Sequence, residues 1–303
     1  MVKMIMTIGI PGSGKSTFIK DSSRSKEYLG YKIHGSDDLR EELYSDVNNQ
    51  TNNVKLFEIL HKRIKADLIQ GNNVIYNATN LSYKRRKGFL ESLNKIECEK
   101  VAIVMATPFN DCINRDRNRG KSVGKQVLDR MYKSFTMPSK MEGFDKILLE
   151  YSDYSKGNYD IYKKMLTLRD MPQFNKYHSK TIGGHCLAVA SNVKVERPNI
   201  EMAGLLHDIG KQYTMSFRNS KGEYTDQAHF YGHENVSAYE SMFYLKEEGF
   251  YDEDIIYICN LIQYHMKPHL LETTKGINKL KRFLGEEFYK DLMILHEADK
   301  MAK

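Results

Sequence analysis

Residues Met4–Phe18 read MIMTIGIPGSGKSTF. Met4 to Ile8 is an apolar run of strand length, stopped by Gly9 and Pro11, and the pattern from Lys15 onward is helical. Between strand and helix stands G-x-x-x-x-G-K-[ST], from Gly9 to Ser16. Glycines at 9, 12 and 14 let backbone N–H groups curl around an anion, and the N-terminus of the next helix adds partial positive charge. In this context the stretch Gly9, Gly12, Ser13, Gly14, Lys15, Ser16 and Thr17 reads as a cradle for the phosphates of ATP. Lys15 is expected to reach the β and γ phosphates, and Ser16 to ligate Mg²⁺.

Outward from this loop, Val74 to Tyr76, Val101 to Met105 and Lys146 to Leu149 read as further buried strands. Lys15 to Ser25, Val54 to Gln70, Tyr83 to Lys95 and Asn110 to Arg119 read as helices between them. Alternation of this kind predicts a parallel α/β sheet flanked by helices over residues 1–152. Tyr151 to Tyr159, broken by Gly157 and Asn158, reads as a linker. Residues 160–303 carry helical periodicity throughout and predict an all-helical second domain, relieved only by a short hairpin near Phe217 to Tyr224 around Asn219 and Gly222. No internal repeat or low-complexity tract is present.

The totals agree with two domains. A chain of 303 residues exceeds the usual size of one core. The 46 Lys and Arg against 39 Asp and Glu leave a formal charge of +7, which suits a polyanionic partner but also describes a plain soluble surface. Cys98, Cys112, Cys186 and Cys259 lie far apart with no CxxC pair, against a zinc ribbon or disulfide framework and in keeping with a reducing cytoplasm. No apolar run approaches membrane-spanning length, so neither export nor a membrane is expected.

Several segments surround the phosphate loop with chemistry. YKIHGSDDLREEL places Asp37 where a strand enters a helix, suited to accept the proton of an attacking hydroxyl, with Arg40 one turn later suited to an acceptor phosphate. The same Asp37 would also serve as a simple helix cap. VIYNATNLSYKRRKGF puts Thr79 and Asn80 at the carboxyl end of a strand, where open α/β sheets place ligands. The basic run Lys84 to Lys87 that follows suits either a polyanion or a solvated helix face. RDRNRGKSVGKQVLDRMYKSF sets Arg115 and Arg119 four apart on one predicted helical face, beside a turn bracketed by Gly120 and Gly124. Such arginines either close over ATP or simply complement a helix dipole.

In order, GIPGSGKST, SDDLR, ATNLSYKRR, RDRNRG and VLDRMYKSF resemble the 5′-hydroxyl polynucleotide kinases of the phage-type end-healing family, over nearly all of residues 1–150. The resemblance implies that Lys15 and Ser16 hold ATP and Mg²⁺, that Asp37 is the general base, and that Arg40 contacts the acceptor strand. It also makes Arg115 and Arg119 lid arginines. The chain departs from that pattern at Asn77 and Ala78, where such kinases commonly carry an aspartate. Kinases of small metabolites share much of the same pattern.

The second half carries His185 in GGHCLAVA, His207 and Asp208 in AGLLHDIGK, His233 in YGHENVSA, His265 in IQYHMKPH and Asp299 in HEADKMA. Any one such histidine is an ordinary core residue. The adjacent pair within LLHDIGK points instead to a ligand set at a seam between helices. Imidazoles and carboxylates without thiolate suit Mn²⁺, Ni²⁺, Co²⁺ or Fe²⁺, with zinc permitted. Lys211, four after His207, is expected on the same helical face. The order H, HD, H, H, D resembles the HD phosphohydrolase superfamily over residues 160–303. That resemblance implies one metal held by His185, His207, Asp208 and Asp299 and a second held by His233 and His265 beside Asp208. Hydroxide would then attack phosphorus while Lys211 stabilises a phosphate oxygen. FNKYHSKTIGGH resembles the entry of nucleic-acid-associated members, where His178 is either a substrate contact or a surface residue. His34, His61, His229, His269 and His296 receive no role.

The resulting expectation is a bifunctional enzyme for broken RNA and DNA ends. It would phosphorylate a 5′-OH with ATP and remove a 2′,3′-cyclic, 2′ or 3′ phosphate, yielding ends suited to a separate ligase. The other readings are a small-molecule kinase fused to a nucleotide phosphohydrolase, and a nucleotide-gated RNA-binding protein with one degenerate centre.

Overall fold

The computed structural model describes residues 1–21, 26–47, 49–152, 154–176, 179–194, 196–271 and 273–302. They form two compact units: Met1–Met131 with Pro138–Tyr154, and Tyr132–Met137 with Ser155–Lys303.

The first unit is built on one five-stranded sheet in the order β2-β3-β1-β4-β5. The strands are β1 (Val2–Ile8), β2 (Lys32–Gly35), β3 (Val74–Asn77), β4 (Cys98–Ala106) and β5 (Lys146–Tyr151), and every pairing is parallel. Central parallel strands are covered on both faces, so they are apolar without alternation. Met4 to Ile8 and Val101 to Ala106 are buried throughout. Phe18 and Ile19 join Ile5, Ile75, Val101, Ile103 and Met105 in one cluster, which packs the helix after the loop against the sheet.

The helices are α1 (Lys15–Lys20), α2 (Ser36–Tyr44), α3 (Asn53–Ile69), α4 (Tyr83–Glu91), α5 (Phe109–Asn118) and α6 (Lys125–Ser134). α3 buries Leu56, Leu60, Ile64 and Leu68, a four-residue spacing that presents one stripe to the sheet. The short β2, with only Gly35 fully buried, escapes a reading based on apolar runs. In the basic run, Lys84 and Arg85 are exposed while Arg86 is buried. Its guanidinium makes a bidentate pair with Glu142, 2.7 Å on each arm, and donates to the carbonyls of Asn80 and Leu81.

The second unit contains α7 (Ile161–Arg169), α8 (Ile182–Asn192), α9 (Pro198–Leu206), α10 (Lys211–Thr214), α11 (His233–Glu247), α12 (Asp252–Tyr264), α13 (Thr274–Leu284) and α14 (Glu286–Met301). α11 is buried continuously from Val236 to Leu245, the mark of a helix surrounded by others. The anticipated hairpin is present as antiparallel β6 (Ser216–Arg218) and β7 (Tyr224–His229), so the helical domain carries one two-stranded sheet. All four cysteines are buried free thiols. No helix among the described residues is long and apolar enough to cross a membrane.

Candidate active sites

The first centre lies at the carboxyl ends of the parallel strands. Gly12 and Gly14 hold φ of 81° and 89°, left-handed values that β-carbons resist. A β-carbon at Gly12 would also strike the backbone carbonyl of Cys112. Lys15 folds back over the loop, donating to the carbonyls of Gly9 at 2.8 Å and Ile10 at 2.9 Å and to Ser13 Oγ at 3.4 Å. Burial lowers its pKa to about 8, against the opposing pull of Cys112 and Asp37. Ser13 is buried, and its carbonyl accepts from Thr107 Oγ1, whereas Ser16 and Thr17 are exposed on the first turn of α1.

Asp37 is not the cap of α2; Gly35 occupies that position. The Asp37 side chain is 77% exposed and accepts from Arg40 Nη1 at 2.9 Å. Arg40 is nearly buried, and its Nη2 donates to Asn53 Oδ1 at 3.0 Å. Its buried Nε has no partner among the described residues. The pair therefore presents an open carboxylate with a fixed cation behind it.

Thr79 and Asn80 reach the loop through its scaffold. Gly9 N donates to the Thr79 carbonyl at 3.0 Å, and Asn80 Nδ2, from a left-handed backbone at φ 48°, donates to the Thr7 carbonyl at 2.9 Å. Asn77 Oδ1 accepts from Thr7 Oγ1 at 3.2 Å, so the amide that replaces the expected aspartate braces β1.

The arginines behave differently from each other. Arg115 lies over the loop, with Nη1 at 3.4 Å from the Gly12 carbonyl and Nη2 at 2.7 Å from Ser152 Oγ. The shared helical face expected for Arg115 and Arg119 is not realised, because α5 ends at Asn118 and Arg119 is extended. The cause is Asp116, a buried carboxylate that accepts from Ser122 Oγ and from the amides of Val123 and Gly124, and pairs with Arg119 at 2.5 Å. These interactions turn the chain back beside the helix end. Asp116 was the informative residue of RDRNRG, an acid amid bases, and its spacing alone does not reveal this task.

In the second centre, His185 comes from α8, His207 and Asp208 from the turn after α9, His233 from the first position of α11, and His265 from the end of α12. His207 and Lys211 do not share one helix face as expected, since the helix breaks between them. The break lets Lys211 Nζ turn back to Asp208 Oδ2 at 2.6 Å. The break also brings Gly210 so close to α11 that a β-carbon would lie 2.6 Å from Ser237 N.

The imidazoles meet in two pairs. His185 and His207 face each other with Nε2 atoms 3.3 Å apart, and His233 and His265 do the same at 3.3 Å. Asp208 joins the pairs: Oδ2 lies 3.5 and 3.3 Å from the first, and Oδ1 3.2 and 3.9 Å from the second. Both triads, His185–His207–Asp208 and Asp208–His233–His265, are compact enough to hold a cation. The Nδ1 atoms of His207, His233 and His265 donate to the carbonyls of Gly204, Phe230 and Ile262 at 2.7, 2.8 and 2.6 Å. A carbonyl only accepts, so each neutral ring presents a lone pair at Nε2. In the His233–His265 pair two lone pairs thus face each other beside one carboxylate and repel unless a cation lies among them, and the donor set therefore fits divalent metal.

Charge follows the same logic. Burial disfavours ionised Asp208, but His207, Lys211 and His233 outweigh it and hold the carboxyl well below its ordinary range. Burial pushes His265 well below its usual value, while Asp208 more than offsets burial at His207 and raises it. Asp299 stands beside the first triad, with Oδ1 3.1 Å from His185 Nε2 and Oδ2 2.7 Å from His269 Nε2. Burial opposes its charge, and hydrogen bonds from His185 and His269 reverse that effect. His269, four residues after His265, could have been found by that spacing. Gln173, whose Oε1 accepts from Lys211 Nζ at 2.7 Å, lies 38 residues away in the chain and carried no signal. His178 lies outside the described residues.

Comparisons agree with this division. Residues 4–138 match the profile of the AAA domain family and residues 176–303 that of the HD domain family. An L-seryl-tRNA(Sec) kinase of Methanococcus maripaludis is 26% identical over 150 residues, covering 47% of this chain and 56% of that protein. Transcription factor bHLH140 of Arabidopsis thaliana is 29% identical over 177 residues, 56% of this chain and 18% of that one. The chain thus spans little more than half of the first relative and a small part of the second. A gluconokinase structure from Sinorhizobium meliloti 1021 aligns over 50% of this chain and 84% of its own, with 15% identity and a TM-score of 0.37. The first unit therefore matches a P-loop kinase-like domain of the AAA type, and the second matches an HD domain.

Proposed function

We propose that this chain heals broken nucleic-acid ends, RNA in the first place. Its first domain would transfer the γ-phosphoryl of ATP to a 5′-OH, and its HD domain would remove a 2′,3′-cyclic, 2′ or 3′ phosphate. The two products are the ends a separate ligase joins. What carries the reading is the coexistence, in one chain of charge +7, of an open carboxylate–arginine pair beside a phosphate loop and a buried four-histidine centre bridged by Asp208. The resemblance of SDDLR, ATNLSYKRR and RDRNRG to end-healing kinases adds the acceptor class.

At the kinase centre, Asp37 is exposed enough to take the proton of an incoming hydroxyl, and Arg40, whose Nε–H has no partner among the described residues, supports a phosphate of the acceptor. Lys15 and Arg115 bring positive charge to the transferring phosphoryl group, and Ser16 is placed for Mg²⁺. At the HD centre His185, His207, Asp208, His233 and His265 would hold divalent ions, with Asp299 completing the first set. Mn²⁺, Ni²⁺ and Co²⁺ are the ions whose preferences match. A divalent cation there supplies Lewis-acid polarisation of a phosphoryl oxygen. Lys211, oriented by Gln173 and Asp208, keeps a cation facing the same oxygens. Four free thiols suit a reducing cytoplasm.

A second reading, phosphorylation of a hydroxyl on a small group, is favoured by the likeness to a kinase named for L-seryl-tRNA(Sec). One experiment separates them: Mg-ATP, then Mn²⁺ or Ni²⁺, is supplied with oligonucleotides carrying 5′-OH and 2′,3′-cyclic phosphate ends. Absence of transfer to the 5′-OH removes the end-healing reading. Asp37→Ala should abolish the kinase alone and Asp208→Ala the phosphoesterase alone; loss of both activities from either change in a folded protein refutes two independent centres.

A further inference from the structure

The β6–β7 hairpin stands between two parts of the HD centre, following α10 with Lys211 and leading into His233. It is fastened to the segment that supports Lys211. Ala228 N donates to the Phe174 carbonyl at 2.9 Å, and the adjacent Gln173 accepts from Lys211. Phe174 is therefore one residue from a group that touches the lysine beside Asp208.

Two features of Phe174 have no explanation in core packing. The residue is 53% exposed, and its backbone holds φ 47°, a left-handed conformation that a bulky side chain enters only under strain. The ring faces Phe217, itself 39% exposed, at a centroid distance of 5.9 Å. A third ring, Phe230, lies 5.4 Å from Lys211 Nζ. Strain that keeps an aromatic surface open one residue along the chain from the Gln173 that holds Lys211 calls for a ligand with a flat face and an attached phosphate. The net charge of +7 also favours an anionic strand.

We propose that Phe174 and Phe217 form a stacking site for the unpaired base of the terminal nucleotide whose phosphate the HD centre removes. The inference rests on reading that centre as a phosphoesterase, and it makes the substrate a single-stranded end in place of a generic phosphoester. Aromatic faces accept any base, so the site confers selectivity for an unpaired nucleotide without selectivity for sequence.

The test uses the full chain with Mn²⁺ and two single strands of one sequence, both 5′-phosphorylated so that the kinase has no acceptor, and both ending in a 3′-phosphate. One strand ends in adenosine and the other in a stable abasic residue. kcat/KM for phosphate release is measured, together with Kd by anisotropy in the presence of chelator. The protein should prefer the base-bearing strand about 10-fold. Phe174→Gly and Phe217→Ala should bring that ratio to about one, Phe217→Tyr should retain it, and hydrolysis of glycerol 2-phosphate should be unchanged in all three. Phe174→Gly also relieves the strained φ, so an undiminished Tm separates loss of the ring from loss of the fold. The proposal is overturned by an absent base preference, by a preference that survives both variants, or by equal loss on glycerol 2-phosphate. It is also overturned if Phe217→Ala changes only the oligomeric state. If no phosphoester is cleaved at all, the phosphoesterase reading fails while the Kd ratio still decides the stacking site.

Discussion

Gly210→Ala tests the HD centre without touching a ligand. A β-carbon at position 210 would sit 2.6 Å from Ser237 N, with the His233 carbonyl closer still, and both obstacles are backbone of α11. Ordinary contact begins at 3.4 Å and the His233 carbonyl would lie at 2.4 Å, so the turn must open by about 1 Å. Asp208 is two residues before the glycine and His233 belongs to the obstructing helix, so this opening separates Asp208 from one of its imidazole pairs. A misplacement near 1 Å costs roughly 100-fold in rate, and overpacking of this kind costs about 1–3 kcal/mol in stability. Mn²⁺ titration calorimetry should show affinity lowered about 10- to 100-fold, phosphate release should fall by about two orders of magnitude, and ATP-dependent transfer should be unaffected. Wild-type metal affinity in a folded Gly210→Ala protein would refute the argument that this close approach positions Asp208.

Three further outcomes follow from the geometry. Arg86→Ala leaves Glu142 buried without its partner and should destabilise the first unit by about 3–5 kcal/mol, read from the urea midpoint of its transition. Lys15 is held near 8 by burial, and bound polyphosphate favours its charged form. ATP binding should therefore take up a proton above pH 8, and affinity should fall as pH rises from 8 toward the unperturbed 10.5, visible as a buffer-dependent binding enthalpy. Saturating Mn²⁺ at 100 times Kd should stabilise the second unit by about 2.7 kcal/mol, and Asp208→Ala should abolish the Tm shift. The same shift should shrink on acidification, because a proton and a cation compete for each Nε2 lone pair.

Much of this was legible before any coordinates. The run Met4–Ile8, the glycine loop and Lys15 declared a strand, an anion cradle and a helix, because local sterics and apolar burial act within a few residues. The HD pair and its companion histidines announced a ligand set, because clustered imidazoles on apolar helices need a reason to be buried. Where local rules failed, a distant group had intervened. Arg86 looked like one cation in a solvated run until Glu142, 56 positions away, drew it inside. Arg119 left its helical face because Asp116 captured the amides of the following turn.

Sequence by itself determined the alternation of strands and helices, the phosphate loop and four of the buried imidazoles, all of which depend on neighbours along the chain. Tertiary structure alone decided how closely Asp208 approaches each imidazole pair, that Gln173 and His269 brace Lys211 and Asp299, and that Phe174 and Phe217 face each other. Those relations are set by which elements pack together, at distances of a few ångströms that separation along the chain does not encode.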